Sequence, residues 1–568
     1  MRHLGLTNSG MGKYNEAIEF LERSLLVFKG INDYRNEGKV LGNLGQIYTK
    51  VGNTSRAIIL FEQRLNNASK SNLLEEKSAA LNDLSRIHSS LGDYNKAIEF
   101  YQQSLEITRE IGNRRGEGIT LGGLGESYSK LGDYNKAIEF NQQSLVITRE
   151  IGNRRGEGST LGRLGASYSK LGDYNKAIEF YQQSLVITRE IGDRRGEAST
   201  LGRLGESYSK LGDYNKAIEF YQQSLVINRE IGNRNSEGAT LGRLGESYSH
   251  LGGYNKAIEF YQQSLVITRK IGDRRGEGAT LGRLGLSYSY LGDYNKAIEF
   301  YQQSLVITRE IGDRGGEGIT LGRLGVSYSK IGDHNKAIEF YQQSLVISRE
   351  IGDRMGEGSI LGGLGESYSY LGDYSKAIEF YQQSLVITRE IGDRMGEGAT
   401  LDGLGESYSH LGDYNKAIEF YQQSLVITCD ICDRQREGAI LGKLGETYSN
   451  LGDDRKAIEF YQQGLAIARE IGNRRGEGKT LCNLAHSHVN LGDDCLAIEF
   501  YKQSLAIRKE TGYRQGEGNV LWKMSLVLDK LGERIQAKDC IESALRICEE
   551  IESPDTEKVR ETLKGWPV

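Results

Sequence analysis

Apolar residues in this chain fall into two alternating helical registers. Between residues 193 and 212, Leu201, Leu204, Gly205, Tyr208 and Leu211 share one face of a 3.6-residue helix, with polar side chains on the other faces. Asp193 stands at the N-cap position, Glu197 in the first turn, and Leu211-Gly212 forms the stop, because glycine takes the left-handed conformation that closes a helix. This is helix A. A second helix, B, begins after Asp213 and ends at Gly232, with Tyr214, Ala217, Ile218, Tyr221, Ser224, Leu225 and Ile231 in a broad stripe. A stripe of that width suits a helix that packs both on its own partner and on the next pair. Small residues at Gly205 and Ala217 predict a close approach of the two helices.

The pair repeats. Leu41 recurs as Leu81, Leu121, Leu161, Leu201, Leu241, Leu281, Leu321, Leu361, Leu401, Leu441, Leu481 and Leu521, a period of forty residues throughout. At 568 residues the chain exceeds what one hydrophobic core supports, so a repeat array follows. Counting B helices from Tyr14 to the one containing Ala537 gives fourteen repeats over residues 1–551, the first with a degenerate helix A around Leu4-Gly5. The tail, 552–568, reads as a capping helix after Ser553-Pro554, with Val559, Leu563 and Trp566 placed to cover the last repeat.

Leu201, Leu204, Gly205, Tyr208, Ala217 and Tyr221 fall on the signature positions of the tetratricopeptide repeat (TPR), and the match recurs along nearly the whole chain. The sequence therefore resembles the TPR family. The resemblance implies an all-α, right-handed superhelical α-solenoid of tandem antiparallel helix pairs. The family's usual proline after helix B is missing, only Pro554 and Pro567 occur, and each unit is longer than the common form. The longer unit resembles the repeats of LGN/Pins spindle adaptors and of bacterial, notably cyanobacterial, multi-repeat proteins. The run from Ile551 to Arg560 is similar to the closing segment of bacterial members.

Charge narrows the functional classes. With 72 basic against 77 acidic residues the net charge is −5, which argues against nucleic acid and against an anionic membrane surface as partners. No apolar signal core opens the chain and no stretch is long and apolar enough to span a bilayer, so a cytoplasmic location is expected. Six scattered cysteines fit a reducing compartment.

Three segments imitate chemistry. Gly472-Asn473-Arg474-Arg475-Gly476-Glu477-Gly478-Lys479-Thr480 resembles a phosphate-binding loop, but its glycine spacing is one residue too long and no strand precedes it. Cys429-Asp430-Ile431-Cys432 has redox or half-zinc spacing, yet the remaining cysteines lie in later repeats. His486-Ser487-His488 has no recurring acidic or nucleophilic companion. The expectation is a chain that is not an enzyme and uses no cofactor and no metal.

In the TPR family the face of helix A opposite the core lines the concave groove. Here that face carries Gly202, Arg203, Glu206, Ser209 and Lys210, and equivalent positions give Arg163, Arg203, Arg243, Arg283 and Arg323. Two readings of this ladder stand open. A row of guanidinium forks suits carboxylates on an extended partner. Alternatively, Glu206, Glu246, Glu366, Glu406 and Glu446 neutralise it as solvated ion pairs. The LGN-type asparagine that holds a peptide backbone is replaced by Glu206. Lys170 and Lys210 give way to His250, Tyr290, Tyr370 and His410, so the groove varies more than the core. Trp522 shares the groove face of the last helix A, and reads equally as an aromatic anchor or as an end cover. Val146, Val186, Val226, Val266, Val306, Val346, Val386 and Val426 form an outward row on helix B, a surface for self-association. Interior glycines such as Gly196, Gly202 and Gly205 predict soft A helices. The function expected is a scaffold or adaptor binding a protein or an extended peptide bearing acidic groups. The alternative is the sensory arm of a bacterial signalling system, resembling proteins in which such repeats accompany a caspase-like protease or an ATPase switch.

Overall fold

The computed structural model describes residues 1–565, and those residues form 29 α-helices and no strand. The chain divides into two compact units, Met1–Arg283 and Leu284–Val568. Each is a stack of A and B helices, consecutive ones packing on each other from Arg2–Gly10 to Tyr254–Ile271 in the first and from Tyr294–Glu310 to Thr556–Lys564 in the second.

In the first unit, helix A at Arg194–Lys210 and helix B at Tyr214–Glu230 show how the sequence builds a repeat. The Asp193 carboxylate accepts from the Gly196 amide and Asp213 from the Lys216 amide, capping each helix start. Gly212 and Gly232 close the two helices at φ +81° and +68°. Between the caps, Leu201, Leu204 and Ala217 are fully buried and Tyr221 nearly so. The close approach expected at Gly205 is present: a Cβ there would lie 2.6 Å from the Tyr221 ring. Interior glycine costs about 0.5–1 kcal/mol in helix propensity, and here it makes room for an aromatic ring in the core. Ser224 Oγ donates to the Ala198 carbonyl (2.8 Å), Tyr208 stacks on Phe220 (5.4 Å), and Lys216 lies over the Tyr208 ring (5.2 Å).

The second unit repeats these contacts at Arg354–Tyr370 and Tyr374–Ile391. Leu361 and Leu364 are buried, a Cβ at Gly365 would meet the Tyr381 ring at 2.7 Å, and Tyr368 stacks on Phe380 at 5.4 Å. At its end the nine-residue helix Thr556–Lys564 lays Val559 and Leu563 against the apolar cluster of Val527, Leu528 and Ile541. Trp566 lies outside the described residues.

Two positions differ from the helical-face reading. Leu211 and Ile231 are 45% and 38% exposed, because each follows the last turn of its helix and sits at a corner. Gly202, read as a groove residue, lines the trough between A helices and is buried there beside Ser224. The B-helix valines do face outward: Val186 and Val226 in the first unit and Val346 and Val386 in the second are more than half exposed. Among the described residues no helix is long and apolar enough to cross a membrane.

Candidate functional site

Helix A is the side on which neighbouring repeats come together. Arg114–Leu131 touches Arg154–Lys170 in the first unit, and Arg354–Tyr370 touches Arg394–His410 in the second. Between these A helices, and floored by Ser and Thr side chains of helix B, run open troughs with spaces of about 650–740 Å³. Volumes of this order accommodate a few residues of an extended chain.

The first unit's trough carries most of the arginine ladder. Arg163 pairs with Glu126 at 3.3 Å, Arg243 with Glu206 at 3.6 Å and Arg283 with Glu246 at 3.4 Å. Each carboxylate belongs to the preceding repeat, 37 residues upstream, and both partners are half-exposed, so the pairs are long, hydrated and weak. Arg203 departs from this pattern. The position 37 residues before it is Ala166, and the guanidinium instead lies 6.0 Å from the Tyr181 ring centroid. The space around Arg203 is lined by Lys170, Arg195, Lys210 and Arg243, with Glu206 as the one carboxylate in that lining.

These open pairs contrast with a buried ionic frame that the sequence reading passed over. Glu197, 6% exposed, accepts from Arg189 of the previous helix B (2.8 Å) and from Arg194 (2.6 Å), and Arg194 continues to Glu230 of the next helix B. Glu237 does the same with Arg229 and Arg234, and in the second unit Glu357 with Arg349 and Arg354. Burial alone pushes the Glu237 and Glu357 carboxyls up, and the hydrogen bonds from their two arginines outweigh it, holding both below the ordinary carboxylate range. Glu197 and its equivalents, read from sequence as first-turn charges, thus join one repeat to the next. A forty-residue recurrence of Arg, Arg and Glu together was the available signal.

In the second unit the ladder stops. Arg323 stands 37 residues after Leu286 and has no ion pair among the described residues. The next two equivalents are Gly363 and Gly403, and at both the tyrosine of the preceding repeat leans into the vacated place: a Cβ would meet Tyr341 at 2.8 Å and Tyr381 at 2.5 Å. The trough there is lined by Glu366, Asp393, Asp402 and Glu406 against a single guanidinium, Arg436. Burial first, then the carboxylates of Glu366, Glu406 and Asp402, raises the Tyr381 hydroxyl far above its ordinary value. For Tyr181, burial raises it while Arg203 opposes. Lys443 then closes the acidic stretch, bonding Asp402 (2.9 Å) and Glu406 (2.8 Å).

The variable position on the trough edge makes aromatic pairs. His250 stacks on Tyr214 at 4.5 Å in the first unit; Tyr370 stacks on His334 at 4.7 Å and His410 on Tyr374 at 4.6 Å in the second. Tyr290 is 60% exposed. Lys170 and Lys210 line the first unit's trough beside Arg203, and Glu206 and Glu246 take part in the pairs already described. Trp522 packs partly buried against the terminal cluster, on the end-cover side of its two readings.

A family model described as tetratricopeptide repeat matches residues 1–70, 76–150, 156–230, 236–310, 280–350, 316–390, 357–430, 397–470 and 436–510. Solved structures similar to this chain include BtubC from P. vanneervenii, at 20% identity over 39% of this chain and 92% of that one, with a TM-score of 0.36. A signal-transduction ATPase with numerous domains and a tetratricopeptide repeat sensor, from Pyrococcus horikoshii, is 18% identical over 68% of this chain and 54% of that one, with a TM-score of 0.48. The APC/C hetero-tetramer Cut9–Hcn1 is 17% identical over 82% of this chain and 93% of that one, with a TM-score of 0.36. No curated protein matches.

Proposed function

Because this chain belongs to the tetratricopeptide repeat family, we propose that it is a non-catalytic scaffold whose A-helix troughs hold extended segments of partner proteins, the first unit's trough taking an acidic one. The observation that carries this reading is the environment of Arg203, where five cations face one carboxylate. The long pairs of Arg163, Arg243 and Arg283 add to it, since a half-exposed glutamate is readily exchanged for a partner's carboxylate. In this reading residues 1–551 form the binding array and 552–568 close its end. The absence of a fixed set of reacting groups in either trough suits a binding surface, which offers area and charge in place of chemistry.

The test uses a fluorescent Glu/Ser peptide and its Lys/Ser counterpart, titrated into the full chain at two salt concentrations. The acidic peptide is expected to bind with a salt-sensitive Kd, weakened about tenfold or more when Arg163, Arg203 and Arg243 are all changed to Gln. Equal binding of both peptides, or a triple variant that binds as well as the parent, removes the first trough as the acidic-peptide site.

A further inference from the structure

The segment that imitates a phosphate-binding loop, Gly472–Thr480, does not wrap a ligand as such loops do; it is a turn leading into helix A at Arg474–Leu491. It nevertheless forms one wall of a pocket of about 530 Å³ inside the second unit, completed by helix B at Asp494–Glu510 and the next helix A at Arg514–Lys530. Two substitutions make this pocket unlike the equivalent spaces elsewhere.

The first is Arg508. Earlier repeats place a small residue there, such as Thr108, Thr148 or Thr188. Arg508 is 9% exposed and has no carboxylate partner among the described residues. Its Nε donates to Ser504 Oγ at 3.2 Å, Nη1 lies directly against Gly516, where a Cβ would overlap it, and the guanidinium borders the pocket. Burying a charge without a counter-charge is costly, so a group in this state is poised for an anion.

The second is Tyr513. In most repeats this position is an Asp or Asn whose side chain caps helix A, whereas Tyr513 makes no capping hydrogen bond. The substitution removes an acceptor, and in many repeats a negative charge, from the pocket mouth and leaves the first amides of Arg514–Lys530 uncapped. The Tyr513 ring instead holds Arg475 at 4.8 Å and Arg508 at 5.5 Å from its centroid.

A further cation, Lys523 on the neighbouring helix A, stands at the ladder position of Arg163 and Arg203, where the preceding repeat has Asn483; it makes no ion pair among the described residues. No Asp or Glu lines the pocket. Arg474 is occupied by Glu477 and Glu510, and Lys479 has only a 3.9 Å contact with exposed Glu446. Arg475, Arg508 and Lys523 are therefore three cations without an ion pair among the described residues, around one open space.

We propose that this pocket binds the phosphoryl group of a phosphate monoester, with Arg508 as the buried anchor and Arg475 and Lys523 as flanking cations. A phosphoryl group carries close to two negative charges at neutral pH and three acceptor oxygens, which matches a site offering several cations and no carboxylate. The pocket is the last of the A-helix troughs and Lys523 stands at the ladder position, so the inference deepens the trough reading; its anchor, Arg508, is no ladder residue, and its failure leaves the acidic-peptide test of the first unit untouched.

Calorimetric titration of the full chain decides it, at constant ionic strength, with glycerol phosphate in one arm and a phosphoserine peptide in the other, each against its unphosphorylated form. Arg508→Thr restores the residue found at Thr108 and Thr188, which keeps the fold intact; Lys523→Asn restores that of Asn483, and exposed Arg56→Gln controls for net charge. Expected is phosphate-dependent binding that weakens about tenfold or more in Arg508→Thr, less in Lys523→Asn and not in Arg56→Gln. Binding of glycerol phosphate identifies a free ester as sufficient, and binding of the peptide alone identifies a partner's modified side chain. No heat from either phosphorylated probe, or equal binding by the parent and Arg508→Thr, overturns the proposal.

Discussion

The two troughs are built on the same frame and carry opposite charge. Around Arg203 in the first unit, five cations face one carboxylate, whereas around Tyr381 in the second, four carboxylates line the space with one guanidinium, two of them paired with Lys443 at its edge. Behind both, the same tyrosine fills the same glycine gap, and the same buried glutamate is clamped by two arginines. Residues that hold one repeat to the next are thus fixed, while trough residues are released from packing and vary in charge. A repeat array separates the two tasks because each unit's stability depends only on its neighbours.

The largest expected effect tests the shared frame. Tyr221→Ala and Tyr381→Ala each empty a ring from the core and cost about 3–5 kcal/mol locally, visible as lost amide protection in adjacent repeats. Costs that differ strongly between the two units would show that the frame is not equivalent. Next, Glu237→Gln and Glu357→Gln leave two arginines without their buried acceptor and cost about 1–3 kcal/mol each in urea unfolding.

These carboxylates also set an acid limit. Both are held below the ordinary glutamate value of 4.5, so their contribution is present above that pH and is lost as pH falls through the depressed native value. Thermal melts taken between about pH 6 and about pH 3 are expected to show the loss below about pH 4.5, with less of it in the Gln variants.

A smaller gain is expected at Cys432 in the second unit, where the first unit's equivalents Asn32 and Asn72 are asparagines, which adopt the left-handed conformation more readily. Cys432 occupies, at φ +57°, the left-handed position that Gly392 holds at +70° in the preceding repeat. Cys432→Gly should stabilise the unit by about 1 kcal/mol, and an unchanged melting temperature would count against strain there. Smallest is the exchange of charge itself. Asp402→Gly with Gly403→Arg rewrites the second trough in the manner of Gly202-Arg203 and should raise affinity for the acidic peptide about fivefold, read by fluorescence anisotropy.

Much of the architecture was legible because its causes are local and repeated. The caps at Asp193 and Asp213, the stops at Gly212 and Gly232, and the apolar faces of Leu201, Leu204, Ala217 and Tyr221 all follow from spacing along one helix. The corner residues Leu211 and Ile231 were misplaced because helical periodicity does not extend past the last turn. Gly202 lines the trough as read, but its burial was not legible because it is supplied by Ser224, 22 residues away.

The candidate sites were less legible. The positions of the arginine ladder could be read, but whether each arginine is matched depends on a residue 37 positions upstream, Glu126 or Ala166, Glu246 or Leu286. The buried Glu197 frame spans two helix junctions, and the pocket around Arg508 draws on three helices. By itself the sequence determined the helices, their period and their pairing, because propensity, capping and amphipathic spacing act within a few turns. Only the tertiary structure decided which charges are matched, which are buried and which face an open space, because those depend on side chains brought together from different repeats.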